Sequence, residues 1–491
     1  MSDLKQRQLT VQAPGGPSAA VAETPTLFQA RKRSILGIAL AVVFLAVFRL
    51  LPPPEGMTQA GMASIGVFLA AITLWITEAF PISVSAIGMV ILMPFFGVMD
   101  LSTALSGFGT GTVFFIMATA GITVALVNST IPLRITAWIV GITRGKARWI
   151  ILGFCVASGL LSGIMSSLAT CALFFGFVAV MLKTAGCRPG TSGLGRALLI
   201  GLPVCSGIGG FLTPAGTPGN VLMMEIMEGY GIHMTFAAWS AVGIPFGLLA
   251  IVLAALWLPV VFKPEDVPDT AQEIIRGRRE ELGPWTPYEK KAVIVILAML
   301  VCWFAGSWVK PLDTTTVAVL GMLVMFLPGV DLLNWDSFKN ECNWNLVFIM
   351  GTATILMNGV TSTGAMNWIV ERLFANIDAI PVVLMWVVVA IVICVIRALI
   401  PTTTAVIALF APMLYSIAGM TGANLTAMLL IPAFWGPAAM LLIYTEPIFL
   451  ITYGERYYTE GDLLKFGWLP SLVMAVIIGL LFPIYLPMLG F

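Results

Sequence analysis

Four interruptions of apolar sequence contain the residue types that could bind a small polar solute inside a membrane. They fall into two pairs, at 166–170 and 213–220 and then at 401–404 and 444–447. Glycine and proline there free backbone amides and carbonyls from helical hydrogen bonding, so these groups and nearby hydroxyls can bind an anion or a cation. One Ser/Thr cluster alone more often makes a helix–helix contact, but the paired pattern favours a binding site.

Two charged residues, Arg397 and Glu446, lie beside the second pair of interruptions. A charge at membrane depth is costly unless it is paired or hydrated, so both are functional candidates. Arg397 could attract an anionic substrate and Glu446 could carry a coupling proton, or the two could form a structural ion pair. Glu225 and Glu228 are expected to be solvated, because they follow the first break.

The elements that position these residues are apolar helices. Of the 491 residues, 59% are hydrophobic and 10% are charged, whereas a typical soluble domain has about 25% charged residues. Mean hydropathy is +0.99, and apolar runs close to the roughly 20 residues that span a bilayer recur along the chain. These features predict an all-α polytopic membrane protein with about 11 transmembrane helices.

A polar tail and a charged segment divide the apolar runs. The predicted domains are a disordered cytoplasmic tail at 1–33, a first half at 34–262, a cytoplasmic linker at 263–291 and a second half at 292–491. Each half is expected to contain a re-entrant hairpin and a broken helix. The hairpins are predicted at 148–183 and 381–418, and the broken helices at 194–229 and 425–453.

The two halves are similar in sequence order but reversed in the membrane. Residues 113–120 align with 346–353, and each copy precedes a Trp-containing stub, a hairpin and a broken helix. The Lys/Arg bias places the N-terminus and the linker in the cytoplasm and the C-terminus outside an inner membrane. Inverted repeats of this kind are typical of alternating-access transporters, whose binding site lies near the midplane between the repeats.

Composition also excludes several classes of protein. The net charge of +1 argues against a nucleic-acid partner, and membrane lipid and a small anion are the expected partners. Seven scattered cysteines and one histidine, without a C-x-x-C motif, argue against a zinc or haem cofactor. Few intramembrane carboxylates argue against an enzyme. An anion channel is a further class, although a passive pore would not require paired hairpins with inverted breaks.

Three segments resemble motifs of the divalent anion–sodium symporter family, which includes the di- and tricarboxylate transporters. Residues 74–81 resemble the family's W-I-T-E-A-x-P segment, and residues 209–220 are close to its G-G-x-x-T-P-x-G-T-P-P-N. Residues 461–465 follow the second break as the family's G-D-x-x-K does. The similarity in order and spacing extends from about residue 34 to 490.

This resemblance implies a homodimer in which a mobile transport domain moves against a rigid scaffold by an elevator movement. It also implies sites for carboxylate and sodium at a Ser-Asn-Thr motif in each hairpin tip. That motif falls on Ser166, Ser167 and Leu168 in the first half. In the second half it falls on Thr402, Thr403 and Thr404.

Further ligands follow from the same resemblance. Ser162 and Gly216, with Ser166 and Ser167, match the first sodium site. The substrate site extends to the break residues of both halves, which are Thr217, Pro218, Thr445 and Glu446.

The sequence also departs from the family pattern. Both asparagines are absent, Leu168 lacks a hydroxyl, and Glu446 replaces a proline. Two-site sodium coupling therefore does not follow, and Arg397 could stand in for a bound cation in an exchanger or a proton-coupled carrier. The sequence predicts a secondary active transporter for a small organic anion, with a dicarboxylate favoured and sulfate or a sulfonate as the alternative.

Overall fold

The computed structural model describes residues 27–77, 79–268, 272, 282–373, 386, 388–389, 391–393, 403–435, 441–443 and 446–491. Within these ranges every regular element is helical and no strand occurs, which confirms the predicted all-α class. Arg397, Thr402 and Thr445 lie outside the described residues, as does most of the first arm of the predicted second hairpin.

Within the described residues, the first half contains eleven α-helices and a 3₁₀-helix at Gly107–Gly109. The first of them begins at Leu27, so the last seven residues of the tail predicted as disordered at 1–33 are helical. The α-helices are α1 (Leu27–Leu50), α2 (Gln59–Thr77), α3 (Ile82–Phe95), α4 (Leu101–Ser106), α5 (Gly111–Val127), α6 (Ile131–Thr143), α7 (Ala147–Ser162), α8 (Ser167–Thr184), α9 (Gly193–Gly209), α10 (Pro218–Gly229) and α11 (Phe236–Phe262). The predicted first hairpin therefore consists of α7 and α8, and the predicted broken helix consists of α9 and α10.

The second half follows the same order where it is described. Its helices are α12 (Pro287–Ala305), α13 (Thr314–Phe326), α14 (Trp335–Glu341), α15 (Trp344–Ser362), α16 (Ala365–Leu373), α17 (Thr403–Thr421), α18 (Leu425–Trp435), α19 (Pro447–Tyr453), α20 (Glu460–Val476) and α21 (Phe482–Met488). A π-helical turn at Ile477–Leu481 joins the last two. The second arm of the predicted hairpin is α17, and the break before Pro447 separates α18 from α19.

The helix that follows the linker begins earlier than the sequence indicated. It starts at Pro287, so the last five residues assigned to the linker at 263–291 are helical. Thr286 and Glu289 form a reciprocal capping box, and proline at the first helical position favours this start. The charges of the first turn conceal the helix in a hydropathy profile, because they resemble those of the linker.

The helix α9 lies at the centre of the main hydrophobic core, where nearly all of its residues are buried. It packs against both arms of the first hairpin and against α11. Gly209 permits this close approach, because a Cβ built there would lie 2.1 Å from the carbonyl oxygen of Gly159 in α7. Small residues thus hold the hairpin directly against the broken helix.

A second, smaller apolar cluster lies to one side of this core. It joins α1, α2 and α3 to α15 through the buried side chains of Ile355 and Leu356. Many large apolar side chains on α1, α11 and α12 remain exposed, as expected for helices that face lipid.

Five described segments are individually long and apolar enough to cross a bilayer. These are Leu101–Val127, Ser167–Thr184, Phe236–Phe262, Trp344–Ser362 and Glu460–Met488. Several other apolar helices are 10–17 residues long, as expected of hairpin arms and broken helices. The predicted number of about 11 spans stays a prediction, because length and composition alone do not place these shorter helices in the bilayer.

An ion pair fastens the amphipathic helix α6 to the start of α12. The Nε of Arg134 lies 2.7 Å from Oε1 of Glu289, whose side chain is 1% exposed. The same guanidinium donates to the backbone oxygens of Leu282, Gly283 and Pro284 at 2.8–3.1 Å. The segment before α12 is therefore held against the first half.

Candidate functional site

The tip of the first hairpin is fixed by its own serine residues. The chain leaves α7 at Ser162, turns through Gly163, and starts α8 at Ser167, with the non-helical Ser166 ahead of it. The Ser162 hydroxyl lies 2.8 Å from the Ser167 hydroxyl and 2.6 Å from the carbonyl oxygen of Ser206 in α9. These contacts tie the tip to the broken helix.

The first break is organised by the buried side chain of Asn220. Its amide nitrogen donates to the carbonyl oxygens of Gly210 at 2.7 Å and Thr213 at 2.8 Å. Its side-chain oxygen accepts a hydrogen bond from the Thr217 hydroxyl at 3.0 Å. Thr217 is extended and Pro218 starts α10, so the chain leaves one half-helix and enters the next in a fixed geometry.

Glycine at position 216 leaves space among several oxygen atoms. A Cβ built on Gly216 would lie 2.3 Å from the carbonyl oxygen of Gly210 and 2.7 Å from that of Ser162. The hydroxyl of Ser167 approaches the same region, 2.5 Å from a Cβ built on Gly210. We call this group of oxygens around Gly216 and Gly210 the oxygen cradle. Its donor set of hydroxyls and backbone carbonyls is of the kind that hard cations bind.

A cavity of about 370 Å³ opens beside the cradle. Four predicted site residues line it, namely Ser166, Gly216, Thr217 and Pro218. Leu168, which departs from the family's Ser-Asn-Thr motif, also lines the cavity and is 44% exposed. An apolar side chain therefore faces the space where the family motif has a hydroxyl.

The opposite wall of this cavity contains polar groups that the sequence patterns did not indicate. Thr119 and Thr123 from α5, and Asn343 before α15, contribute to it. None of the described wall residues is charged. An anion there would therefore be bound by hydroxyls, backbone amides and the positive end of the α10 dipole. No motif indicated these three residues, because Thr119 and Thr123 lie on a helix without a break and Asn343 is the N-cap of α15.

Of the predicted second-half residues that the structure describes, Thr403 lies against α10 rather than in this cavity. The Thr403 hydroxyl donates to the Glu446 carboxylate at 3.2 Å, and Thr404 is buried. The methyl group of Thr403 and the hydroxyl of Thr217 lie 3.5 and 3.8 Å from a Cβ built on Gly219. The two halves therefore meet at Gly219. Neither Thr403, Thr404 nor Glu446 is among the described residues that line the cavity.

The expected solvation of the acidic residues after the first break is correct for only one of them. Glu228 is exposed, and one of its carboxylate oxygens lies 2.7 Å from Nδ1 of His233. Glu225 is partly buried and accepts a hydrogen bond from the Thr112 hydroxyl of α5. The sequence missed this contact because helical spacing does not reveal which face of α10 packs against α5.

A carboxylate outside the membrane-spanning helices anchors the start of α9. Glu265 accepts hydrogen bonds from the Ser192 hydroxyl and from the backbone amides of Gly193 at 2.9 Å and Leu194 at 3.2 Å. Burial alone would raise the pKa of Glu265, but these hydrogen bonds outweigh burial and hold the pKa below its usual value of 4.5. The charged form of Glu265 is therefore favoured in the folded protein.

Comparison with known proteins places this geometry in a family. The family described as "Sodium:sulfate symporter transmembrane region" matches residues 32–491. The sodium-dependent dicarboxylate transporter SdcS of Staphylococcus saprophyticus is 22% identical over 481 residues, which cover 93% of this chain and 91% of the relative. SdcS of Staphylococcus aureus is 23% identical over 365 residues, which cover 69% and 70% of the two chains.

A solved structure supports the fold alone. The crystal structure of the Alcanivorax borkumensis YdaH transporter matches with a TM-score of 0.52 at 12% identity, over 95% of this chain and 98% of that one. The family assignment rests on the match to the family over nearly the whole chain. The chain therefore belongs to the sodium:sulfate symporter family, the divalent anion–sodium symporters that its motifs resemble, and is a membrane transporter of anions rather than an enzyme.

Proposed function

We propose that this secondary transporter binds a small dicarboxylate in the cavity between the first hairpin tip, the first break and α5. The proposal rests on one observation. Ser166, Gly216, Thr217 and Pro218 line the same cavity, whose volume is about 370 Å³. Hydroxyls and the start of α10 offer donors and partial positive charge to a carboxylate. Relatives named as dicarboxylate transporters support the same substrate class.

Sodium is the proposed co-substrate, and the oxygen cradle is its proposed site. Ser162, Ser167 and the carbonyl oxygen of Gly210 are the groups that would hold it, with Gly216 leaving the space. Ser166 lies on the cavity wall and would contact substrate and ion together. The alternative is an exchanger or proton-coupled carrier, in which Arg397 stands in for a second bound cation and Glu446 carries the coupling proton.

The assembly that the family resemblance implies and the orientation that the Lys/Arg distribution favours form part of the proposal. A homodimer would hold the scaffold fixed, while the transport domain moves across an inner, or plasma, membrane by an elevator movement. The Lys/Arg distribution places the N-terminus in the cytoplasm and the C-terminus outside. The inverted repeat would place the substrate site near the bilayer midplane.

Purified protein in proteoliposomes tests the substrate and the coupling together. Uptake of labelled succinate should saturate and should increase when an inward sodium gradient replaces a potassium gradient. Counterflow against internal unlabelled succinate should occur in a carrier and be absent in a channel. Uptake of sulfate but not succinate would contradict the dicarboxylate proposal, and sodium-independent exchange would favour the Arg397 alternative.

A further inference from the structure

An apolar groove lies between the amphipathic helix α6 and the first hairpin arm, α7. Its volume is about 780 Å³, and Thr143 is the only hydroxyl residue among the described residues that line it. Trp138, Ile142 and Trp149 line it and remain 54%, 56% and 51% exposed. Water solvates such a surface poorly, so an apolar occupant is favoured.

Three exposed cations lie at the turn where the two helices meet. Arg144 and Gly145 both have positive φ, at 48° and 72°, and this tight turn brings Arg144, Lys146 and Arg148 to one end of the groove. None of the three forms an ion pair with any acidic residue in the described part of the chain. The nearby Asp266 carboxylate accepts a 2.7 Å hydrogen bond from the Ala147 amide.

We propose that the groove binds an anionic phospholipid, with an acyl chain along its apolar walls and the phosphate beside the three cations. Basic pockets between helices on the cytoplasmic side suit anionic headgroups, and tryptophan favours the level of the headgroups. A second copy of this chain fits less well, because a two-fold contact would place the same basic turn against itself.

The lipid would contact the element that forms the substrate cavity. Ile164 lines the far part of the groove, and Ser166, two residues later, lines the cavity. An occupied groove would therefore support the hairpin tip from outside. Lipid binding itself does not depend on the proposed substrate, so it can be tested without transport.

Thermal unfolding and native mass spectrometry of the full-length protein in detergent measure this binding. The probes are phosphatidylglycerol and phosphatidylcholine with identical acyl chains. Phosphatidylglycerol should raise the unfolding midpoint more than phosphatidylcholine, because a ligand stabilises the state that binds it. The triple variant R144Q/K146Q/R148Q should bind phosphatidylglycerol about 100-fold more weakly, at ~1 kcal/mol per basic residue. The control K310Q/K339Q should retain wild-type binding.

A second pair of variants separates a groove site from a charged surface. Ala157→Leu adds bulk inside the groove and should reduce phosphatidylglycerol binding, whereas Ala475→Leu on α20 should not. If Ala157→Leu does not elute as folded protein, Leu160→Trp at the exposed edge replaces it. Equal binding of the two lipids, or unchanged binding after both the triple substitution and groove filling, would overturn the proposal. If phosphatidylglycerol binding falls with the triple charge substitution but not with groove filling, the proposal is also overturned, because the acyl chain would then lie elsewhere.

Discussion

At the scale of single residues, the candidate site depends on neutral groups held in place by hydrogen bonds. The Thr217 hydroxyl lines the cavity while bonded to Asn220, which in turn fixes two carbonyls of the break. This hydroxyl has one O–H donor, which can be given to a substrate carboxylate in exchange for the hydrogen bond to Asn220. Its orientation is set by the fold before substrate arrives, which limits the entropy lost on binding.

Replacing Thr217 by Ala should raise the apparent Michaelis constant for dicarboxylate uptake about 5-fold. One net hydrogen bond contributes about 1 kcal/mol, and the substitution removes one hydroxyl from the cavity wall. Initial rates in proteoliposomes over a range of succinate concentrations measure the effect. Thr315→Ala on α13, outside the cavity, is the matched control and should leave the constant unchanged. Equal apparent Michaelis constants for the wild type, Thr217→Ala and Thr315→Ala would show that Thr217 is not part of the site.

The Gly216→Ala variant tests the oxygen cradle. Its Cβ would lie 2.3 and 2.7 Å from two carbonyl oxygens. Cβ atoms in folded proteins essentially never come that close to another atom, so the cradle must deform. Sodium stimulation of uptake should fall at least 10-fold, a loss of about 1.4 kcal/mol in ion binding. Gly176→Ala on α8, which has open space around its Cβ, should behave as wild type. Full sodium stimulation in Gly216→Ala would place the ion elsewhere.

Residue types and spacing were sufficient to name Ser166, Gly216, Thr217 and Pro218, because broken helices leave visible marks in an apolar sequence. They could not reveal Thr119 or the other polar residues of the opposite wall. Thr119 and Thr123 lie on an unbroken helix, where hydroxyls look the same in sequence whether they face a cavity or a neighbouring helix. Only the packing of α5 against the break distinguishes the two cases.

At the scale of elements, the residues at helix ends show where a helix begins better than the apolar runs do. Hydropathy located the interruptions of the first half, and the helices after both predicted breaks begin at a proline, Pro218 and Pro447. It missed the start of α12, whose first turn is charged and capped by Thr286, and α20 begins with a similar charged turn capped by Thr459. A hydropathy window averages those charges with the neighbouring loop, so the helix start does not show in the profile. The helix nevertheless begins there, because a capping box satisfies the free amides of its first turn.

The cap at the start of α9 predicts a pH dependence of stability. Glu265 has a folded-state pKa below 4.5, so it adds stability above that value and loses it as the pH falls through the folded pKa. Glu265→Gln should lower the unfolding midpoint at neutral pH, and the gap to wild type should narrow below pH 4.5. Thermal unfolding across that pH range measures it. Glu55→Gln, in an exposed turn between α1 and α2, should show no such pH-dependent gap. A constant gap for Glu265→Gln would contradict the cap.

At the scale of the whole molecule, contacts between the halves define which elements can move together. The rings of Tyr230 and Tyr415 stack at 3.9 Å between centroids and join α10 to α17. The Tyr457 hydroxyl donates to the carbonyl oxygen of Cys187 at 3.0 Å, and its ring packs on Gly195 in α9. The hairpin and break of the first half are therefore fastened to the second half. The helix α5 lies across the cavity from them, which is where an elevator movement would require sliding.

Cross-linking α5 to α10 should stop transport while leaving substrate binding intact. Thr112 and Glu225 contact each other across this boundary, so T112C/E225C treated with a short bifunctional thiol reagent would hold the two helices together. The half-buried native thiols Cys187 and Cys302, and Cys394, which lies outside the described residues, are first replaced by serine to prevent competing reactions. Uptake should fall to background and recover after a cleavable reagent is reduced, while succinate still raises the unfolding midpoint.

The single variants T112C and E225C, treated in the same way, control for loss of the Thr112–Glu225 hydrogen bond. They should retain whatever uptake they have before treatment, because one thiol cannot bridge the two helices. If the cross-linked protein transports at the rate of these single variants, α10 does not slide past α5. Alternating access would then have to occur by local opening of the hairpin tip, whose serine contacts to α9 would break and reform in each cycle.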